Sequence, residues 1–235
     1  MNREQPLPCV VFIPGTLCDG RIFKRQVQAL RGKAQCVVLD YHRLRNPSQW
    51  SHRLLASLPL TFSIVGFSLG GLWALELLRK APQRIQRLAL IASNAQAGSK
   101  AGRRRSDWLG KLWNARGPGE VAKHVKPAYF HYETKRRQYQ NLVLDMAMQT
   151  SKSAAMAEFA WAAQRPAGFE ALAQFDGKLL VVSGAQDKLC PRSMQLAMVQ
   201  AQPMADWRVL ERCGHFLPLE APVKLSALLL NWIKP

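Results

Sequence analysis

The chain has 235 residues, of which 48% are hydrophobic and 20% are charged, a balance that favours one folded domain and excludes an intrinsically disordered chain. Its apolar runs are too short to span a bilayer and its first residues lack the apolar stretch of a secretory signal, so we expect no membrane span and a cytoplasmic location. The 33 Lys and Arg residues against 15 Asp and Glu residues give a formal charge of +18, which favours anionic partners.

Six apolar runs along the chain are typical of buried strands. They are Cys9–Ile13, Gln35–Leu39, Thr61–Val65, Leu88–Ile91, Lys178–Ser183 and Trp207–Leu210. Helix-compatible segments follow several of them: Arg21–Leu30, Leu69–Lys80, Ser193–Gln200 and Val223–Ile233. Continuous apolar strands that alternate with helices predict an α/β fold, with a mostly parallel central sheet flanked by helices.

One long segment interrupts this alternation, because no strong strand lies between about Asn94 and Phe175. Its helical candidates are Lys123–Tyr132, Arg136–Met148 and Ala154–Gln164. The strand pattern resumes after the segment, so we interpret it as an insertion between two sheet strands. The predicted organisation is a core of residues 1–93 and 176–235, with a helical lid at residues 94–175.

The cysteines give no sign of a disulfide framework or a zinc site. The chain has five of them, scattered and without C-x-x-C spacing: Cys9, Cys18, Cys36, Cys190 and Cys213. An odd, dispersed set of this kind predicts free thiols and no metal site.

A serine in a glycine-rich turn is the candidate nucleophile. The strand Thr61–Val65 leads directly into Gly66-Phe67-Ser68-Leu69-Gly70-Gly71 and then into a helix, which places G-x-S-x-G in a strand–turn–helix context. The flanking glycines let the strand and the helix approach closely, and the helix N-terminus directs backbone N–H groups at an oxyanion beside the serine. The pattern predicts that Ser68 is a nucleophile.

A nucleophilic serine needs a base, and the base needs a carboxylate that orients it. Four histidines either precede the serine or fall in the insertion: His42, His52, His124 and His131. His215 remains, on the loop after the last strand, and Asp187 occupies the turn that ends the preceding strand. The predicted catalytic residues are therefore Ser68, Asp187 and His215, with Asp176 as the second choice for the acid.

The oxyanion that forms on acyl transfer needs two N–H donors. One is the backbone of Leu69, which follows the serine. The other is expected from the loop after the first strand, with Thr16 as the first choice and Leu17 as the alternative.

These segments together resemble the α/β-hydrolase superfamily over nearly the whole chain. The matching pieces are Pro14-Gly15-Thr16-Leu17-Cys18-Asp19, the turn around Ser68, Gly184-Ala185-Gln186-Asp187 and Cys213-Gly214-His215. Within the superfamily the chain is similar to small bacterial esterases related to 3-oxoadipate enol-lactonase and to pimeloyl-acyl-carrier-protein methyl ester esterase, which have a four-helix lid at this position. The resemblance implies the α/β-hydrolase fold, ester hydrolysis through a serine acyl-enzyme, and no cofactor.

Three departures from the family pattern bear on the sheet and on the substrate. Pro14-Gly15 replaces the common His-Gly pair, and Tyr-His-Arg-Leu-Arg-Asn-Pro-Ser after Asp40 replaces a Gly-x-Gly-x-Ser turn. The pattern also lacks the N-terminal hairpin of larger members, so a reduced sheet is expected. A lactone, a thioester or a carbon–carbon bond beside a ketone stays an alternative to an ester, because the fold does not decide among them.

Other functions and partners are bounded by the same residues. The intact Ser–Asp–His order disfavours a purely binding protein, no nucleic-acid-binding module is recognisable, and we expect a monomer. Candidates for lining the substrate pocket are Leu17 and five aromatic residues of the lid: Trp108, Trp113, Tyr129, Phe130 and Trp161. Residues 94–137 hold eleven Lys and Arg against three Asp and Glu, so Arg103, Arg104 and Arg105 are the candidate contacts for an acidic acyl-carrier protein.

Overall fold

The protein forms one central parallel sheet with helices on both faces. A computed structural model describes residues 6–40, 47–125, 129–131 and 136–234. In this part of the chain the sheet has six strands in the order β2-β1-β3-β4-β5-β6, and every neighbouring pair is parallel. The strands are β1 (Cys9–Ile13), β2 (Gln35–Val38), β3 (Phe62–Phe67), β4 (Ile85–Ile91), β5 (Lys178–Gly184) and β6 (Asp206–Leu210).

Alternation along the strands explains why the sheet is covered on both sides. In β1, Val10 and Phe12 belong to one hydrophobic cluster, whereas Val11 and Ile13 belong to the cluster on the opposite face. All four side chains are completely buried. Since successive side chains of a strand point to opposite faces, a strand that is apolar at every position requires helices on both faces.

The helices divide between the two faces and the region above one edge of the sheet. They are α1 (Lys24–Leu30), α2 (Pro47–Ser57), α3 (Leu69–Lys80), α4 (Lys100–Val125), α5 (Arg136–Gln149), α6 (Lys152–Gln164), α7 (Phe169–Ala173), α8 (Arg192–Ala201), α9 (Leu217–Glu220) and α10 (Pro222–Trp232). Buried residues of α1 and α10 pack with one cluster, and those of α2, α3 and α8 pack with the other. Of these helices, α2, α7, α9 and nearly all of α4 were not predicted from the sequence.

Four helices, α4 to α7, follow β4 and precede β5, within the segment predicted to form a lid (residues 94–175, here called the lid segment). Helix α4 is broken at Gly117, whose φ of 77° is not helical, and Pro118 follows. Its buried residues Leu109 and Trp113 form a third apolar cluster with Phe159 of α6 and with Leu17 of the core. The lid segment therefore packs onto the loop that follows β1.

Two sequence predictions need comment here. The predicted helix Lys123–Tyr132 is confirmed only at its start: residues 123–125 form the end of α4, whereas Phe130 and His131 are not helical, and residues 126–128 and 132 lie outside the described residues. Most of the segment that departs from the family turn, residues 41–46, also lies outside them. Among the described residues, no helix is both long and apolar enough to cross a membrane.

The carboxyl ends of the parallel strands meet at one edge of the sheet. Loops that leave β1, β3, β5 and β6 therefore emerge side by side, under the lid segment. In parallel α/β sheets this edge is where ligands bind. All candidate site residues predicted in the core lie on these four loops, apart from Leu69, which begins α3, and the second-choice acid, Asp176.

Candidate active site

The turn between β3 and α3 holds Ser68 in a strained backbone conformation. Its φ is 52° and its ψ is −116°, a region that residues with a side chain rarely adopt. The turn is tight because a Cβ at Gly70 would lie 2.0 Å from the carbonyl oxygen of Ile13 and one at Gly66 would lie 2.6 Å from that of Gly70. Ser93 Oγ donates to the carbonyl of Ser68 at 2.8 Å. The geometry is that of a nucleophile elbow.

A continuous hydrogen-bonded chain joins the three predicted catalytic side chains. Ser68 Oγ lies 2.9 Å from His215 Nε2, and His215 Nδ1 lies 2.8 Å from Asp187 Oδ2. A carboxylate can only accept, so Nδ1 carries the hydrogen and Nε2 faces the serine hydroxyl as the acceptor. His215 and Asp187 are only 2% and 5% exposed, so water does not compete for these bonds.

The second oxygen of Asp187 is held by the turn after β5. Its Oδ1 accepts from the backbone N–H groups of Leu189 at 2.8 Å and Cys190 at 2.9 Å. The carboxylate is thereby fixed in direction as well as position. The alternative acid, Asp176, is exposed and precedes the amino end of β5, so it lies at the opposite edge of the sheet from Ser68.

A glutamate that the sequence reasoning did not select organises the loop around His215. Glu220, at the end of α9, accepts from the backbone N–H groups of Gly214 at 3.0 Å and Phe216 at 2.8 Å. It also accepts from the N–H of His131 in the lid segment at 2.8 Å. The sequence offered one indication of this role, namely that Glu220 lies close to His215 along the chain. An acid at this spacing is equally typical of an exposed residue at the end of a helix.

The geometry of the loop after β1 distinguishes between Thr16 and Leu17, the two candidates for the second oxyanion donor. The N–H of Leu17 donates to Glu158 Oε2 of α6 at 2.7 Å, so it is directed at the lid segment. Leu17 has a positive φ of 50°, and its side chain is completely buried. Thr16 lines the cavity beside Ser68, together with Leu69. The geometry therefore favours Thr16 over Leu17.

A cavity of about 350 Å³ contains Ser68 and His215. Apolar side chains contribute much of its lining, including Phe67, Leu72, Leu109, Phe159, Met194 and Phe216. Among the described residues that line it, Arg105 and Arg165 are the cations, and no Asp or Glu takes part. The size suits a small acyl group, and the charge suits an anion.

Five of the six residues predicted to line a substrate pocket do not line this cavity. Leu17 and Trp113 are buried between the core and the lid segment. Phe130 stacks on Phe216 with ring centroids 4.4 Å apart, and Trp161 stacks on Trp73 of α3 at 4.2 Å. Trp108 is 44% exposed and contacts His124 of the same helix. For these five residues the prediction is corrected, because four of them pack the lid segment onto the core and Trp108 lies at the surface. The sixth candidate, Tyr129, does line the cavity.

The basic residues of α4 lie on the surface beside the cavity. Arg103, Arg104 and Arg105 are all exposed, and Arg105 Nη2 donates to the hydroxyl of Tyr129 at 3.1 Å. Arg105 also lines the cavity, so it connects the basic surface with the site. The basic residues Lys126 and Lys135 lie outside the described residues.

One group of metal-ligand types occurs in the described part of the chain: Asp187, Cys190 and His215, with ligand atoms within 4.8 Å of one another. Both oxygens of Asp187 already accept hydrogen bonds. Burial raises the pKa of the Cys190 thiol to about 12, which opposes the thiolate form that a metal requires. The cluster fits a hydrogen-bonded triad better than a metal centre.

Comparison with known proteins agrees with this architecture. An enol-lactonase from Burkholderia xenovorans LB400 is similar at a TM-score of 0.86 and 20% identity, covering 99% of this chain and 93% of that one. A thermophilic esterase from Thermogutta terrifontis gives 0.84 and 19%, covering 98% and 90%, and a bromoperoxidase from Bacillus anthracis gives 0.82 and 16%, covering 99% and 94%. At these identities the likeness concerns the fold.

At the sequence level, no curated protein matches the chain. The model of the alpha/beta hydrolase family does match it, over residues 10–228. That range includes β1 to β6 and all the residues of the hydrogen-bonded chain from Ser68 to Asp187. The expected fold is thereby confirmed, and the protein belongs to the alpha/beta hydrolase family.

Proposed function

We propose that this protein is a serine hydrolase of carboxylic esters, with Ser68 as nucleophile, His215 as general base and Asp187 as the orienting acid. One observation carries the proposal: the unbroken chain from Ser68 Oγ through His215 to Asp187, with contacts of 2.9 and 2.8 Å. It begins at a strained elbow and opens into a cavity. Membership of a hydrolase family supports the reaction class.

The proposed reaction proceeds in two acyl transfers. His215 Nε2 takes the proton from Ser68 Oγ as the oxygen attacks the ester carbonyl, and it then protonates the departing alcohol. The backbone N–H groups of Leu69 and Thr16 stabilise the oxyanion. Water then attacks the acyl-enzyme with His215 again as base, which releases the acid and restores the serine. Asp187 stabilises the imidazolium that forms in each step.

We propose further that the substrate is itself an anion or is attached to an anionic carrier. The leading candidate for that carrier is an acidic acyl-carrier protein. Exposed Arg103, Arg104 and Arg105 lie on one helix beside the cavity. A positive rim of this kind speeds the encounter with an acidic protein and orients its docking. Lactones and thioesters stay alternatives for the same residues.

A fluorophosphonate probe combined with p-nitrophenyl esters of increasing chain length tests the reaction class. We expect one label at Ser68, hydrolysis of short acyl esters, and loss of both in Ser68→Ala with the fold retained. Stable labelling of Ser68→Ala would show that another residue is the nucleophile.

The carrier hypothesis needs a separate measurement. We compare kcat/KM for a carrier-bound methyl ester and for the free short ester across ionic strength. Steering predicts a steep loss with salt for the carried ester alone, reduced by charge reversal at Arg103–Arg105. Equal salt dependence for both esters would leave a plain carboxylesterase.

A further inference from the structure

The wall of the cavity over Ser68 includes an arginine that the proposed acyl transfer does not use. Arg165 directly follows α6 and precedes α7, and it lines the same cavity as Ser68 and His215. It is partly buried, unlike the exposed arginines of α4. A cation inside the cavity acts on whatever fills it, so Arg165 bears on substrate choice.

The contacts of Arg165 leave its charge without a counter-ion. Its Nη1 donates to the carbonyl of Ala162, and its Nη2 donates to Asn94 Oδ1 at 3.1 Å. Its Nε is buried and meets no acceptor among the described residues. A guanidinium has five N–H donors, and both acceptors that it contacts are neutral. No described carboxylate lies within ion-pair distance of it.

Burial makes this arrangement costly unless an anion completes it. Desolvation lowers the pKa of Arg165, yet a guanidinium in a protein keeps its proton. The thiol of Cys190 is close enough to influence Arg165, but burial raises the pKa of that thiol to about 12, so it is neutral at pH 7. An unpaired, partly buried charge is destabilising, and a bound anion would relieve that cost.

We propose that Arg165 binds a carboxylate on the acyl part of the substrate. The inference rests on the proposed function, and it specifies the substrate as a half-ester of a short dicarboxylic acid or a lactone that bears a carboxylate. A bidentate guanidinium–carboxylate pair gives orientation as well as affinity. It would hold the far end of the acyl group while the ester carbonyl lies at Ser68.

The alternative role for Arg165 is structural, because its bond to Asn94 joins the start of the lid segment to the residue that follows α6. A purely structural residue would affect all esters equally. The test is therefore the ratio of kcat/KM for two esters of equal acyl length, mono-p-nitrophenyl glutarate and p-nitrophenyl pentanoate, which differ only in the distal carboxylate.

We expect the wild type to prefer the glutarate ester. Arg165→Gln should lower that preference about 10- to 100-fold, the scale of one charge-assisted interaction, while the rate on the pentanoate ester is retained. Arg165→Lys should keep part of the preference because it keeps the charge. Arg208→Gln, which removes an exposed, ion-paired arginine on β6, is the matched control and should change neither rate.

Each outcome separates the two proposals. A wild type that hydrolyses the pentanoate ester but shows no preference for the glutarate ester overturns the role of Arg165 and leaves the esterase assignment standing. An equal loss on both esters in Arg165→Gln, with no recovery in Arg165→Lys, overturns it as well. Failure to hydrolyse either ester, with no labelling of Ser68, counts against the proposed function itself.

Discussion

Replacing Glu220 with glutamine is expected to slow acyl transfer and to destabilise the fold. The carboxylate of Glu220 accepts three backbone N–H groups, those of His131, Gly214 and Phe216, at 2.8 to 3.0 Å. Two of these residues flank His215 directly, and the third belongs to the lid segment. The side chain therefore fixes the loop that carries the proposed base.

The expected loss of unfolding free energy follows from the number of side-chain oxygens that can accept hydrogen bonds. Hydrogen bonds to a charged group each contribute roughly 1.5–3 kcal/mol. A glutamine that keeps its oxygen at the position of Oε2 retains the bonds from His131 and Gly214, now as weaker neutral bonds. Its amide NH2 then faces the N–H of Phe216, so that bond is lost. We expect the free energy of unfolding to fall by about 2–4 kcal/mol.

Urea denaturation and steady-state kinetics on a short p-nitrophenyl ester measure the two effects. We expect kcat to fall about tenfold or more with little change in KM, because His215 Nε2 loses its fixed distance to Ser68 whereas the substrate keeps its contacts. Glu170→Gln, at an exposed position of α7, is the matched control. An unfolding free energy within about 0.5 kcal/mol of the wild type, together with an unchanged kcat, would refute the reasoning.

Three further predictions concern other parts of the site. Asp187→Asn should lower kcat by about three to four orders of magnitude, because the amide favours the wrong histidine tautomer. Similar activity in Asp187→Asn and Asp176→Asn would count against Asp187 as the orienting acid. Iodoacetamide at pH 8 should leave Cys190 unlabelled, since burial raises the pKa of its thiol to about 12 and the reactive thiolate is therefore scarce at pH 8. Rapid labelling of Cys190 at pH 8 would contradict this. Gly70→Ala should abolish soluble expression or lower the melting temperature sharply, because its Cβ would lie 2.0 Å from a backbone oxygen; a wild-type melting temperature would show that the turn can relax.

The strands could be predicted because each contains a short apolar run. β1 matches its prediction at both ends, and β5 extends one residue beyond its own. β4 begins three residues earlier than predicted, since Gln86 and Arg87 break the apolar pattern at the edge of the core. The first turn of α3 was equally predictable, because the glycines around Ser68 leave few alternatives to an elbow.

Helix α2 shows what periodicity alone misses. Its apolar contacts with the core are made by Trp50 and Leu54, one helical turn apart, and by the partly buried Leu55. Such a narrow apolar stripe within a polar segment resembles a loop in sequence. Only the packing of Trp50 against Trp73, with ring centroids 4.5 Å apart, shows why the helix forms there.

The cavity lining could not be predicted, because it depends on how the lid segment packs on the core. Large aromatic rings gain most from burial, and they are used in stacking between the two. Several of the residues that the lid segment contributes to the cavity wall are small, such as Ala97, Gly102 and Ala162, and residues of this kind carry no functional signal in a sequence. The role proposed for Arg165 could not be predicted for the same reason. It depends on the fact that no described carboxylate lies close to this arginine in space.

The contact between Glu158 and Leu17 makes the lid segment part of the proposed oxyanion site. The N–H of Leu17 donates to Glu158 Oε2 at 2.7 Å, and Leu17 has a left-handed conformation with a φ of 50°. Without that acceptor, the loop has less reason to keep a strained residue, and its neighbour Thr16, the proposed second oxyanion donor, would lose its position in the wall of the cavity.

We therefore expect Glu158→Met to lower kcat by about tenfold to several hundredfold, approaching the cost of a lost oxyanion donor. Glu158→Gln should cost less, because its amide oxygen can still accept from Leu17. The measurement is kcat on a short p-nitrophenyl ester, with circular dichroism to verify folding. Equal activity of Glu158→Met and the wild type would show that the loop holds its shape unaided and that the lid segment serves substrate binding alone.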